Sequence, residues 1–409
     1  MRGRRGPGKR RGHRPGKGQS RLRGLAAGAA ATAAAACVSA MGLPASPAGG
    51  DWTQGGPQLA SRGTVVSYPS GRPDKADQLP KVKASAFIVA NAGNGQVLAA
   101  RDPHGWYRPA STLKVLTAVS LIPQLNPDAT TVASHQAATV EPNDVGLIAG
   151  RSYPISGLFT ALLTISANDA AVALAQATGS LRTGMAMINA EAHQLRADDT
   201  VAEEPNGLDA PGQHTSAYDE ALIARRALAM PAFLRYDQTK AARFERKPRR
   251  WVTLVNQNLM LTGYRGDIGG KLGWTAAAGA TYVGMAERDG VTLIVALLHC
   301  PALTEFSSAA RLLNWGFAEN GKVAPVGTLV SPLPPQPASN PAAKTAVHRA
   351  DGTVASRGSS LAAPAVVGEL FLLFAGLIVA GFVAWRRHQI RLGQRSRQAR
   401  APGPSRPQT

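Results

Sequence analysis

The hydrophobic positions of this chain follow two different periods. Residues 85–100, SAFIVANAGNGQVLAA, form two β-type runs around Asn94-Gly95, a pair suited to the left-handed centre of a tight hairpin. Residues 280–299, ATYVGMAERDGVTLIVALLH, repeat the arrangement around Asp289-Gly290. Between them the apolar spacing turns helical, in STLKVLTAVSLI (111–122), ISGLFTALLTIS (155–166), NDAAVALAQAT (168–178) and GMAMINAEAHQL (184–195). A further helical run, TEFSSAARLLNWGFA, follows the second hairpin. Strands at both ends with helices in the middle predict an α/β fold of the α+β kind: one antiparallel sheet flanked by a helical cluster.

Outside this region the periods fade, and the predicted boundaries follow. Residues 41–80 are rich in Gly, Pro and Ser and read as a flexible lead-in. The folded domain spans 81–322, and residues 323–364 form a Pro/Ala/Ser linker. Residues 365–385, AVVGELFLLFAGLIVAGFVAW, are continuously apolar apart from Glu369. As a helix they extend about 31 Å, the thickness of a bilayer core, which predicts a C-terminal transmembrane helix.

Charge adds direction. The formal net charge is +20, but residues 1–24 hold ten basic side chains and no acid, and residues 386–409 hold seven arginines and no acid. The tails carry nearly all of the excess. They lack interleaved aromatics or a reading motif, so nucleic acid is not the expected partner. The basic start precedes an alanine-rich run, residues 25–40, that fits a signal peptide cleaved near Ala40; an uncleaved anchor is the alternative. Trp385 and Arg386-Arg387 place the tail 386–409 in the cytoplasm and the domain outside. Cys37 falls in the signal and Cys300 stands alone in the domain, so no internal disulfide is expected.

Three short elements carry candidate chemistry. Ser111 and Lys114 stand three residues apart at a helix start, and one helical turn brings hydroxyl and amine together. A lysine kept neutral can take the serine's proton and make a nucleophile of it. The plain alternative is a serine cap and a solvated lysine. Ser166 and Asn168 sit between two helical runs, either facing a cleft or merely ending one helix and starting the next. Lys271 lies among Gly269, Gly270 and Gly273, glycines that let a backbone approach a ligand, or that simply make a turn.

Taken in order, S-x-x-K, S-x-N and K-x-G resemble the signature of penicillin-binding proteins and serine β-lactamases. The flanking stretches VLAARDPHGWYRPASTLKVLTA, LLTISANDAAVALA, EPNGLDAPGQHTSAYD, LVNQNLML and GGKLGWTAAAGATYVGMA narrow the resemblance to the low-molecular-mass D-alanyl-D-alanine carboxypeptidases, over roughly residues 82–320. That resemblance implies a β-lactamase/transpeptidase-like fold and a serine peptidase acting on peptidoglycan stem peptides, with no cofactor and with β-lactams as covalent inhibitors. It implies Ser111 as nucleophile, Lys114 as its base and Ser166 as the proton path to the leaving D-alanine. Asn168 and Lys271 would bind substrate, and the backbone N–H groups of Ser111 and Trp274 would form the oxyanion hole.

One position departs from the pattern: Leu272 stands where the family has Thr or Ser. That hydroxyl normally binds the substrate's terminal carboxylate, and its loss costs about 1.5–3 kcal/mol of binding. Two further readings therefore stay open: a catalytically weak peptidoglycan-binding scaffold, and a β-lactamase. Asp198-Asp199 and Glu203-Glu204 read as a solvated loop rather than a metal site or an acid/base pair. His193, His214 and His299 lack metal-ligand spacing, and no phosphate loop occurs. Arg288 is a cation close in sequence to the altered motif.

Overall fold

The computed structural model describes residues 53–71 and 73–334. Their strands are β1 (Thr64–Val66), β2 (Ala86–Asn91), β3 (Gln96–Arg101), β4 (Thr130–Val132), β5 (Ser152–Pro154), β6 (Ala241–Lys247), β7 (Arg250–Val255), β8 (Asp267–Thr275), β9 (Gly279–Arg288), β10 (Val291–Cys300) and β11 (Gly327–Thr328). The helices are α1 (Leu113–Leu121), α2 (His135–Ala138), α3 (Ile155–Thr164), α4 (Asn168–Gln176), α5 (Leu181–Gln194), α6 (Ala217–Leu228), α7 (Pro231–Asp237), α8 (Met260–Gly263) and α9 (Glu305–Glu319).

Both expected hairpins form, and they join. The antiparallel sheet runs β1-β3-β2-β10-β9-β8, with β11 also on β3. Pairing of β2 with β10 places the first hairpin of the chain beside the last. Asp289 and Gly290, at φ 50° and 78°, make the turn between β9 and β10, where left-handed backbone is required.

Strand β10 shows why its sequence reads as an unbroken apolar run. Ile294, Ala296 and Leu298 face one core cluster, and Leu293, Val295 and Leu297 face another. Both faces of the strand are covered, so no polar alternation survives. The first cluster is shared with α1, α3, α4 and α6, the second with Leu312, Leu313 and Trp315 of α9. Gly316 lets α9 settle closely: a Cβ there would lie 2.8 Å from Leu293 Cδ1 and 3.0 Å from Val89 Cγ1.

The body is wider than residues 81–322. From the expected lead-in, β1 pairs Thr64 with Arg101 and Val66 with Ala99, and Leu59 is buried. From the expected linker, β11 pairs Gly327 with Val97 and Thr328 with Gln96. Strands of two or three residues are too short to show a period; they form because β3 offers them an unpaired edge. The middle of the chain also contains a ribbon, β6 with β7, whose dense charge hides its alternation. The predicted signal, transmembrane helix and basic tail lie outside the described residues. Among the described residues no helix is long and apolar enough to cross a membrane.

Leu312, fully buried between α9 and the sheet, sets the expected cost of disturbing the second cluster. Leu312→Ala is expected to lower unfolding stability by about 2–5 kcal/mol, read from urea denaturation midpoints at constant m-value.

Candidate active site

Ser111 does not cap α1. It lies in a 3-10 turn, Ala110–Thr112, that feeds the helix, and Ala110 takes φ 49°. Thr112 is tied behind it: its Oγ1 lies 2.6 Å from Glu220 Oε1 and 2.8 Å from the Pro109 carbonyl. One hydroxyl has one proton to donate. The Thr112 hydroxyl is within donating reach of both the Glu220 carboxylate and the Pro109 carbonyl, and burial raises Glu220 to about 7. The turn is thereby fixed from below.

Lys114 is 0 % exposed. Its Nζ is 2.8 Å from Ser111 Oγ, donates to Asn168 Oδ1 at 2.7 Å, and also meets the Asn206 carbonyl. Burial, then the nearby Lys271 charge, pushes this amine well below the ordinary lysine range, with Asp169 opposing. A neutral amine has two N–H donors and one lone pair. Two of its three neighbours are pure acceptors and the third is a hydroxyl, so the lone pair faces the Ser111 proton.

The acceptors are themselves anchored. Asn168 Nδ2 donates to the Glu141 carbonyl at 2.8 Å and its backbone N–H donates to the Asn143 carbonyl at 2.7 Å, which turns Oδ1 toward Lys114. The buried Asp169 accepts the N–H groups of Val145, Gly146 and Leu147 at 2.9–3.0 Å and so holds the same loop. Gly207, at φ 81°, follows Asn206 and presses on the turn; a Cβ there would lie 1.8 Å from the Ala110 carbonyl oxygen. No side chain other than glycine's fits.

Strand β8 brings the third element. A Cβ on Gly273 would lie 2.5 Å from Ser111 N, so β8 runs directly against the nucleophile's backbone and Trp274 follows it, 39 % exposed. Lys271 is buried and donates to the Leu272 carbonyl at 2.7 Å. Ser166 is buried at φ 63°, and its Oγ has no hydrogen-bond partner among the described residues. The structure thus joins Ser111, Lys114 and Asn168 by hydrogen bonds, sets Lys271 close enough to depress Lys114, and leaves Ser166 unbonded two residues from Asn168.

Leu272 pairs in register with Tyr282 and packs against the α9-side cluster. Neighbouring strand residues alternate faces, so it points away from the side that Lys271 takes. Arg288 is not a substitute for the absent hydroxyl: its guanidinium stacks over Tyr264 and Phe317, 4.5 and 4.7 Å from their ring centres.

Sequence reasoning missed the carboxylates behind Lys271. Asp237 Oδ2 accepts the Gly270 N–H at 2.8 Å, an approach that Gly269 permits, since a Cβ there would lie 2.2 Å from that oxygen. Asp267 accepts from Asn258 Nδ2 at 3.1 Å. Burial raises Asp237 to about 7; burial and then the Asp237 charge raise Asp267 to about 8. Burial draws Lys271 down to about 7, against the pull of Asp237. Asp237 and Gly270 lie 33 positions apart along the chain, beyond any local pattern.

The acidic stretch 198–204 is not a free loop either. Asp199 lies 2.7 Å from His104 Nδ1 and accepts from Trp106 Nε1 at 3.0 Å, and Gln213 Oε1 accepts the N–H groups of Glu203 and Glu204. His214 stacks on Trp106, with ring centres 4.1 Å apart, and His299 Nδ1 lies 2.9 Å from the Ala278 carbonyl oxygen.

Residues 73–302 match the family model of D-alanyl-D-alanine carboxypeptidase, peptidase family S11. The chain belongs to this family. It is similar to D-alanyl-D-alanine carboxypeptidase DacB2 of Mycobacterium tuberculosis, 40% identical over 257 residues that cover 61% of this chain and 88% of the relative. DacD of Escherichia coli is 30% identical over 58% of this chain and 64% of its own length. Among solved structures, a D-alanyl-D-alanine carboxypeptidase from M. tuberculosis aligns with TM-score 0.60 and 38% identity, covering 64% of this chain and all of that one. The Streptomyces K15 DD-transpeptidase aligns with TM-score 0.55 and 26% identity over 58% of this chain and 99% of its own. The mixed α/β fold with its antiparallel sheet is therefore the penicillin-binding, DD-peptidase fold.

Asp237 gives a pH test of the site. Asp237→Asn removes the charge that holds the Lys271 pKa up, so the ammonium is lost at lower pH. The alkaline limb of Ser111 acylation by a fluorescent penicillin is expected to move to lower pH; an unchanged limb would show that Asp237 does not hold up the Lys271 charge.

Proposed function

We propose that this chain is a serine-type D-alanyl-D-alanine carboxypeptidase that trims the terminal D-alanine from peptidoglycan stem peptides. The observation that carries the mechanism is the three-way coordination of a dehydrated Lys114 amine by Ser111 Oγ, Asn168 Oδ1 and the Asn206 carbonyl; in its neutral form that amine has a lone pair for the Ser111 proton. Lys114 Nζ takes the hydroxyl proton as Ser111 Oγ attacks the penultimate D-alanine carbonyl carbon. The oxyanion forms against the backbone N–H groups of Ser111 and Trp274. Collapse breaks the peptide bond, and Ser166 Oγ relays the proton from Lys114 to the departing amine. Water, deprotonated by the same Lys114, then attacks the acyl-serine ester and releases the shortened peptide. Lys271 supports this cycle with positive charge beside Ser166 and the substrate carboxylate. β-Lactams, which present a strained amide to Ser111, would acylate the same oxygen.

Leu272 does not favour a scaffold, because the proton-transfer residues do not depend on its side chain. Nothing about the site favours a β-lactamase.

We also infer that the domain works outside the cytoplasm, tethered by residues 365–385. The support is sequence alone: one bilayer-length apolar run followed by Arg386-Arg387, and a basic, alanine-rich start. Deleting residues 365–409 is expected to release the protein from membranes; retention after carbonate washing would overturn the tether.

The enzymatic reading is tested by D-alanine release from a diacyl-Lys-D-Ala-D-Ala peptide. Wild type is expected to turn over, and Ser111→Ala to lose at least about a thousandfold in kcat while staying folded. Equal rates for the two proteins would end the proposal. Leu272→Thr is expected to change kcat by less than about threefold; a gain of about a hundredfold or more from a near-zero rate would instead identify a scaffold.

A further inference from the structure

We propose that the β6–β7 hairpin is a docking surface for the anionic peptidoglycan strand that carries the stem peptides. This rests on the function proposed above.

The charge distribution is the first ground. Residues 53–334 contain 25 basic and 22 acidic side chains, and residues 240–256 alone contain six basic and one acidic. Without the hairpin the same segment would be net negative. Lys240, Arg243, Arg246, Lys247, Arg249 and Arg250 are all exposed. The one acid, Glu245, is engaged by Arg151 at 3.6 Å and by the Arg249 N–H at 2.7 Å. On a body that is otherwise slightly negative the hairpin is therefore a concentrated positive patch, which attracts anions and raises encounter rates with them.

The second ground is shape. Phe244 and Leu254 bury one face of the ribbon against the helical side of the core. The opposite face shows Arg243, Thr253 and Trp251, and Trp251 is 51 % exposed with the Arg243 guanidinium 5.0 Å from its ring centre. Flat apolar rings suit the faces of sugars, and arginines and lysines suit carboxylates. A glycan bearing carboxylate-rich peptides presents both.

The third ground is continuity with the site. The ribbon's root is bonded to the chain segment that leads into Ser166, through Gln257 N–H to the Thr164 carbonyl at 2.9 Å. Arg246 lies on Gly146, in the loop that Asp169 holds beside Asn168. A strand held on the ribbon is presented at the rim of the cleft that consumes its peptides.

The test uses the full chain with Arg243→Gln, Lys247→Gln, Arg249→Gln and Arg250→Gln combined, all exposed positions outside the catalytic set. On a soluble diacyl-tripeptide its kcat/KM is expected to match wild type within about twofold. On isolated sacculi at low salt it is expected to fall about five- to tenfold, and added salt should bring wild type down to the variant. Co-sedimentation with sacculi, which needs no turnover, should fall in parallel. Equal sacculus turnover and sedimentation would overturn the proposal, as would equal losses on both substrates. Lost binding to phosphatidylglycerol vesicles with sacculus binding intact would assign the patch to a bilayer and overturn it too. Absence of small-peptide turnover in wild type would instead strike the enzymatic reading, while sedimentation would still decide the docking.

Discussion

The site depends on removing one amine from water. A buried ammonium is penalised by several kcal/mol unless it is paired, and Lys114 has no carboxylate against it. Its neighbours are a hydroxyl, an amide oxygen and a peptide carbonyl. Under those terms the neutral form prevails, and a neutral amine beside a serine is a base. Lys271, fixed across the cleft in β8, reinforces this by electrostatic repulsion.

Much of the surrounding architecture follows from keeping that pocket dry and rigid. Gly207 and Gly273 bring two backbone segments hard against the Ser111 turn. Ala110 and Ser166 hold left-handed conformations that side chains disfavour, and the packing around them keeps them there. Asp169 spends its lone pairs on three successive peptide N–H groups, so that the loop carrying the Asn168 contacts does not shift. The sheet supplies the frame: β8 ends the strand order, and the Ser111 turn packs against Gly273 of β8 and, through the Pro109 carbonyl, Thr281 of β9.

What the sequence disclosed was what is local or periodic. The two hairpins were legible because Asn94-Gly95 and Asp289-Gly290 announce turns between β-type runs. The helices were legible from their apolar spacing, and the motifs from their order along the chain. What remained hidden was non-local. Asp237 and Glu220 reach the site from helices far along the chain, with nothing in their own surroundings to mark them, and the stretch around Asn206 stood out without showing that its carbonyl meets Lys114. β1 and β11 have too few residues to carry a pattern and exist only by pairing with β3. Asp199 looked solvated because its partners, His104 and Trp106, lie more than ninety positions earlier.

The pairing of β1 and β11 has a mechanical side. Both lie along the same edge of β3, one beyond the other, with Ser67 bridged to Ala324 between them. The chain therefore enters and leaves the body at neighbouring points. Tension transmitted through the flanking segments would load the Gln54–Arg196 and Leu333–Gln194 contacts and then that seam, at the margin of the sheet opposite β8. The nucleophile and its base sit off the line of force, so pulling on the ends need not deform the cleft.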